Sequence, residues 1–321
     1  MATVPFPVTS AGFWRAYAVT LRPYLFFVSG TAGLVGLALA APPPAAFAAA
    51  FVAFFLCYGL GQALTDVFQR DTDALSAPYR PLVRGEVTPA AVLAVSLAGL
   101  AACSLVFWLL DPRTLALMAV AVVGLATYTP LKRRWWGGPL WNAWIVAFLP
   151  VIGVLCGEEA AVPGAALAAG CTSVLFTYAV FVLLGYLKDV EADRATGYET
   201  LPVRFGRRIS LIVSAGFLAA GGLASATLVL TAPAPLDALD RTLGRALWLL
   251  GLGMLAAAHW RLAGTSRDDE AHPGIALSVR GFVAVHLGEA ALVHAGLAVP
   301  GLVLLGLLEL ALAARPCREQ I

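Results

Sequence analysis

Nine long apolar stretches limit what this chain can fold into more than any other feature. They run near residues 23–41, 45–64, 89–109, 114–128, 140–156, 165–187, 209–231, 243–262 and 275–297, and a shorter one covers 302–314. A helix needs about 17–25 apolar residues to cross the hydrocarbon of a bilayer. In lipid, each backbone polar group must find its partner inside the protein, which leaves helices or closed barrels. The expected fold is therefore an all-α membrane protein: a bundle of nine transmembrane helices, or ten if 302–314 also crosses. Only 12% of the 321 residues are charged, about half the usual share for a water-facing domain. The turn residues APPP at 41–44, Asp111-Pro112, Gly137-Gly138-Pro139 and Val162-Pro163-Gly164 separate the runs. Arg280, His286, Glu289 and His294 interrupt the ninth run, which is read as a span that lines a polar cavity, with a helix along the interface as the alternative. No polar linker divides the chain, and residues 1–321 read as a single membrane-embedded domain with a core at about 20–297.

Several partner classes drop out. A net charge of +2 is not the basic footprint of a nucleic-acid binder, and nothing calls for an obligate protein partner beyond the lipid bilayer. Cys57, Cys103, Cys156, Cys171 and Cys317 form no CxxC pair and read as small hydrophobes, not as a disulfide or zinc framework. The N-terminal stretch lacks the basic start and cleavage site of a signal peptide.

Lys and Arg set the orientation. Fifteen of them fall in connections on one side, from Arg15 and Arg22 to Arg261 and Arg267, against Arg113, Arg241 and Arg245 on the other. The first side is expected to be cytoplasmic, in a cell inner membrane or its equivalent, with Glu158 and Asp237 opposite. Arg315 and Arg318 join the first side if the tenth run crosses.

Two cytoplasmic connections, four helices apart, resemble each other. One reads Asp66-Val-Phe-Gln69-Arg-Asp71-Thr-Asp73, the other Lys188-Asp189-Val-Glu191-Ala-Asp193. At about 100° per residue, Asp66, Gln69 and Asp73 share one helical face, as do Asp189 and Asp193, while Asp71 and Glu191 point away. Carboxylates stacked on one face repel unless a cation lies between them. Mg²⁺ favours one or two carboxylates completed by substrate phosphate oxygens. Four carboxylates from two facing segments would hold two Mg²⁺ against a diphosphate, and Arg80, Lys132 and Lys188 would neutralise the oxygens left over.

These residues resemble the UbiA superfamily of intramembrane prenyltransferases. The family's Asn-Asp-x-x-Asp-x-x-x-Asp motif, followed by Arg-Pro-Leu, is matched by Thr65-Asp66-Val-Phe-Gln69-Arg-Asp-Thr-Asp73 and Arg80-Pro81-Leu82. Its second motif is matched by Asp189, Asp193 and Gly197-Tyr-Glu-Thr200-Leu-Pro-Val203, its Tyr-x-x-x-Lys element by Tyr128 and Lys132, and its opening Arg-Pro by Arg22-Pro23. The resemblance implies Mg²⁺-dependent transfer of a prenyl group from a polyprenyl diphosphate to a lipophilic acceptor, with release of diphosphate. It casts Asp66, Asp73, Asp189 and Asp193 as metal ligands, Gln69 as a neutral ligand, Lys132, Lys188 and Arg80 as diphosphate contacts, and Tyr128 as a group facing the allylic cation. Gln69 and Thr65 depart from the family pattern, as does Val83-Arg84-Gly85 after Arg-Pro-Leu. The weakened first motif keeps open a terpene cyclase that needs no acceptor. The acceptor class stays open among aromatic, quinone-precursor and glycerol-phosphate compounds. A transporter or channel fits less well, because the charges gather at one face and form no chain through the first eight helices.

Overall fold

The computed structural model describes residues 4–157, 162–232 and 236–321; Glu158, expected on the far side, lies outside them. Among the described residues nine helices are long and apolar enough to cross a membrane, which makes the chain a multi-pass integral membrane protein. A short amphipathic helix precedes them, α1 (Ala11–Leu21), which sequence reading left out because it is too short to span. Ser10 caps it through Phe13 N (3.2 Å), and Phe13, Ala16, Tyr17 and Thr20 form its buried face. Arg22 then turns the chain in a left-handed conformation (φ 51°, ψ 74°) into a 3-10 turn, Pro23–Leu25, and α2 (Phe26–Ala40).

The spans that follow are α3 (Pro44–Asp66), α5 (Pro89–Leu110) and α6 (Thr114–Arg134), with the short helix α4 (Arg70–Ser76) between the first two. Next come α7 (Gly138–Ala147) and α8 (Leu149–Leu155), one span interrupted at Phe148. Pro150 explains the break, since it cannot donate to the carbonyl of Val146 and its ring crowds that turn. The bent span packs closely on α2: a Cβ on Gly36 would lie 2.1 Å from the Pro150 carbonyl oxygen, and one on Gly153 would lie 2.7 Å from that of Gly33. Only glycine permits that approach. The second half repeats the plan with α9 (Gly164–Gly185), the short α10 (Val190–Ala195), α11 (Leu201–Thr231), α12 (Ala238–Ala263) and α13 (His272–Val293).

The ninth run is a buried span rather than an interfacial helix, and its Ile275 lines a small cavity beside Arg22 and Lys188. α13 is 89% buried, against 22% for α5 and α6, whose outer faces are apolar and suited to lipid. Its His286 and Glu289 are paired inside the bundle. His286 Nδ1 lies 2.6 Å from Glu289, Ser173 donates to Glu289 (2.5 Å), and Thr177 meets His286 Nε2 (2.9 Å). Arg280 pairs with Glu309 (2.6 Å) on α14 (Ala298–Ala313). α14 folds back along α13 and returns the last residues to the end of the bundle that carries Arg22, where Gln320 contacts Val19 and Tyr24.

Candidate active site

The acidic segments are not continuous helices. α3 stops at Asp66, and the chain turns through Gln69 (φ −118°, ψ 19°) before α4 begins. In the second half α9 gives way to a 3-10 turn, Tyr186–Lys188, and Asp189 (φ −116°, ψ 12°) opens α10. The regular 100° spacing expected of Asp66, Gln69 and Asp73, and of Asp189 and Asp193, therefore does not apply. Asp66, Gln69, Asp73 and Asp189 nevertheless line one cavity of about 250 Å³. Asp193 does not line it and lies fully buried one layer behind. Of the two carboxylates of the second segment, Asp189 reaches the cavity while Asp193 turns to Lys132 and Thr200.

The mouth of the cavity carries Arg22, Arg80, Lys132 and Lys188 beside the three carboxylates. Asp66 accepts from Arg22 (2.6 Å) and Gln62 (2.8 Å), with Arg80 at 3.7 Å. Arg80 also pairs with Asp73. Gln69 donates to Thr129 (3.1 Å), and Thr72 meets Thr196 (3.0 Å), joining α4 to the segment after α10. Lys132 is buried, 3.4 Å from Asp193, and stands over the rings of Tyr186 (4.9 Å) and Tyr198 (5.0 Å). Asp193 also accepts from Thr200 (3.2 Å). Lys188 is 3.9 Å from Asp189.

Below the charges lies a band of tyrosines. Tyr128 shares a hydrogen bond with Tyr186 (2.8 Å), and Tyr178 donates to Tyr58 (3.0 Å); all four line the cavity together with Asn142. Deeper still the lining is apolar, including Leu100, Met118, Leu125, Ile145, Leu149 and Ile152. Met118 and Lys132 stand on the same helix and both line the cavity. At 1.5 Å rise per residue they are about 21 Å apart. Sequence reading found the acidic segments, Arg80, Tyr128, Lys132 and Lys188. Arg22 is legible in the sequence only as a topology charge and a helix-opening residue, and Gln62, Asn142, Tyr58, Tyr178 and Tyr186 give no signal, because the runs around them are too uniformly apolar to mark an inward face.

The carboxylates differ electrostatically. Burial alone would raise Asp189, but Lys188, Lys132 and Arg80 outweigh it and hold that carboxyl below its usual range. Burial pushes Asp193 up to about 6 despite Lys132. Among the described residues no three His, Cys, Asp or Glu groups converge tightly enough to hold an ion by themselves. A Mg²⁺ ion needs no such cage when substrate oxygens complete its shell. The hard-oxygen donors suit it, and Asp189 Oδ1, 3.9 Å from Lys188 Nζ, is buried without a hydrogen-bond partner, which leaves its lone pairs suited to a cation.

The UbiA prenyltransferase family matches residues 26–278. The digeranylgeranylglyceryl phosphate synthase of Natronomonas pharaonis is 34% identical over 218 residues, covering 66% of this chain and 76% of that protein. The synthase of the same name from Methanopyrus kandleri is 32% identical over 236 residues, covering 72% and 81%. The fold matches a UbiA homolog from Aeropyrum pernix K1 (TM-score 0.66, 18% identity, 82% of this chain and 96% of that one). It also matches a UbiA homolog from Archaeoglobus fulgidus bound to GPP and Mg²⁺ (TM-score 0.63, 19% identity, 86% and 99%). With its two acidic segments, its spans and this match over most of its length, the chain belongs to the UbiA prenyltransferase family and is a membrane-embedded prenyltransferase.

Proposed function

We propose that the cavity binds a polyprenyl diphosphate with its charged end among Arg22, Arg80, Lys132 and Lys188 and its isoprenoid tail in the apolar shaft. The prenyl group is then transferred to a lipophilic acceptor and diphosphate is released. The observation that carries this reading is a mouth of four cations and three carboxylates set directly above a tyrosine-lined apolar cavity within the bundle. A prenyl diphosphate is a ligand class that needs both surfaces at once.

Asp66, Asp73 and Asp189, with the Gln69 amide oxygen, would hold Mg²⁺, which when bound neutralises the diphosphate and makes it a better leaving group. Lys132 offsets charge that builds on the leaving oxygens as the C–O bond breaks. Asp193 acts through Lys132: it fixes the ammonium from behind instead of facing an ion itself. The rings of Tyr128 and Tyr186, just beneath, face the allylic carbon as it becomes cationic. A nucleophilic carbon or oxygen of the acceptor then forms the new bond and loses its proton. The charge asymmetry of the connections supports a mouth on the cytoplasmic side.

The names of the curated relatives favour a glycerol-phosphate lipid as acceptor over an aromatic ring or quinone precursor. The test is mass spectrometry of products from the purified protein, Mg²⁺ and prenyl diphosphates of graded length, with and without each acceptor class. An acceptor-dependent prenylated product is expected. A cyclic hydrocarbon or alcohol formed from the diphosphate alone would replace transfer with cyclisation, and no turnover of any prenyl diphosphate would overturn the reading.

A further inference from the structure

The strongest unexplained feature beside the site is how the last residues fasten onto the turn that presents Arg22. Arg22 holds a left-handed backbone (φ 51°, ψ 74°), which a non-glycine residue keeps only when its surroundings determine it. Its guanidinium reaches Asp66 at 2.6 Å. Gln320 brackets that turn from both sides. Its side-chain amide donates to the Val19 carbonyl (2.9 Å) before the turn, and its own carbonyl accepts from the Tyr24 hydroxyl after it. Gln320 and Tyr24 are both buried. Nearby, Arg315 stacks on the Tyr24 ring at 5.9 Å, and Tyr79, next to Arg80, donates to the Glu319 carbonyl (3.2 Å). A cavity of about 90 Å³ between Arg22, Tyr24, Gln320 and Ile321 gives the turn space to relax into if it is released. Residues 298–321 lie beyond the part of the chain that matches the family, as do Val19, Arg22 and Tyr24.

We propose that Gln320 is a positioning residue for the site: by clamping Val19 and Tyr24 it keeps Arg22 in its left-handed turn with its guanidinium on Asp66. The inference rests on the reading of Arg22 and Asp66 as part of the diphosphate site. Small displacements of a group that orients charge are costly in such a site. A Gln320 that only docks the tail would affect stability alone.

The experiment measures calorimetric binding of inorganic diphosphate with Mg²⁺ to the full chain in nanodiscs, alongside thermal stability. The variants are Gln320→Ala, Gln320→Glu, Tyr24→Phe and Arg22→Ala, with the Gln320→Ala/Arg22→Ala pair. Gln320→Glu keeps the size of the side chain but cannot donate to the Val19 carbonyl, so it serves where Gln320→Ala does not fold. The Gln320 variants and Tyr24→Phe are expected to weaken diphosphate binding about three- to tenfold, the range a single neutral hydrogen bond supplies. Gln320→Ala should add nothing once Arg22 is Ala. Normal binding in the Gln320 variants while Arg22→Ala binds poorly would overturn the positioning role and leave the site reading standing. Full additivity of the pair would also overturn it. If Arg22→Ala binds as the wild type does, the site reading fails and the inference goes with it.

Discussion

The first acidic segment leaves α3 at Asp66, turns at Gln69 and re-enters a helix at Arg70; the second leaves α9 at Gly185, turns at Asp189 and re-enters at Val190. Gln69 and Asp189 hold nearly the same backbone angles. Each accepts from the amide four residues on, Asp73 in one case (3.0 Å) and Asp193 in the other (2.7 Å). Gln69 is thus the counterpart of Asp189, and Asp73 of Asp193. The path is shared but the charge is arranged differently. In the first segment Asp66 and Asp73 face the cavity and are met by Arg22 and Arg80. In the second, Asp189 alone faces it, and Asp193 anchors Lys132 from behind. Equivalent positions in a repeated fold therefore need not do equivalent chemistry. The side that contributes an inward amide at the turn contributes two inward carboxylates elsewhere.

The comparison breaks most completely if no metal joins the two segments. Excess EDTA should abolish prenyl transfer and added Mg²⁺ should restore it, because carboxylates and diphosphate otherwise repel across the mouth. Full turnover in EDTA would leave the two segments as ion-pair networks only.

Next in size is the contrast within the second segment. Asp189→Ala should lower turnover by about 10²- to 10³-fold, the scale of removing one preorganised electrostatic contact, with a smaller loss of thermal stability than Asp193→Ala, because its partner Lys188 lies farther away (3.9 Å) and keeps more solvent contact. Asp193→Ala should also lower turnover but in addition destabilise the protein, because it leaves the Lys132 ammonium buried without its carboxylate, at a cost of about 3–5 kcal/mol. Equal stability of the two variants in a detergent unfolding assay would erase the distinction between a facing and an anchoring carboxylate.

The same contrast has a pH signature. Asp193 is pushed up to about 6 by burial, so its ion pair with Lys132 exists above that pH and is lost as pH falls through it. Asp189 is held low by its cationic neighbours and stays ionised throughout. The rate should decline below about pH 6, and Asp193→Asn should lower the plateau and flatten that limb. An unchanged limb in the variant would assign it to another group.

How far the sequence alone reached follows from the same physics. Apolar length is a local property, so the spans and the acidic segments that interrupt them were legible, but polar helix ends were not: α11 begins at Leu201 rather than 209, and α6 runs on to Arg134 rather than 128. The surroundings of α13 were not legible, because several partners of its polar residues come from other helices: Ser173 meets Glu289 across 116 positions, and Arg280 finds Glu309 on α14. The separation of Asp189 from Asp193 depended on the tertiary pairing of Asp193 with Lys132 and Thr200, which an i, i+4 spacing does not show. The role of Arg22 was half visible in Arg22-Pro23, but its left-handed turn and its clamp by Gln320 are tertiary facts.

The smallest expected effect comes from restoring the symmetry of the two turns. Gln69→Asp puts a carboxylate where the second segment has Asp189, in a cavity-lining position whose backbone already matches. The hydrogen bond from Gln69 to Thr129 would be replaced by one in which the Thr129 hydroxyl donates to the new carboxylate, so local packing should hold. Apparent Mg²⁺ affinity should tighten several-fold in a titration of activity against metal, because a neutral donor becomes a charged one. Turnover at saturating Mg²⁺ should change less than twofold or so, since a tighter ground-state complex does not by itself lower the barrier. A shift of products toward acceptor-free compounds, or their loss, would show that the amide at this turn governs the fate of the allylic cation. An unchanged titration with unchanged products would show that the two turns are alike in backbone only and that residue 69 does not take part in holding the metal.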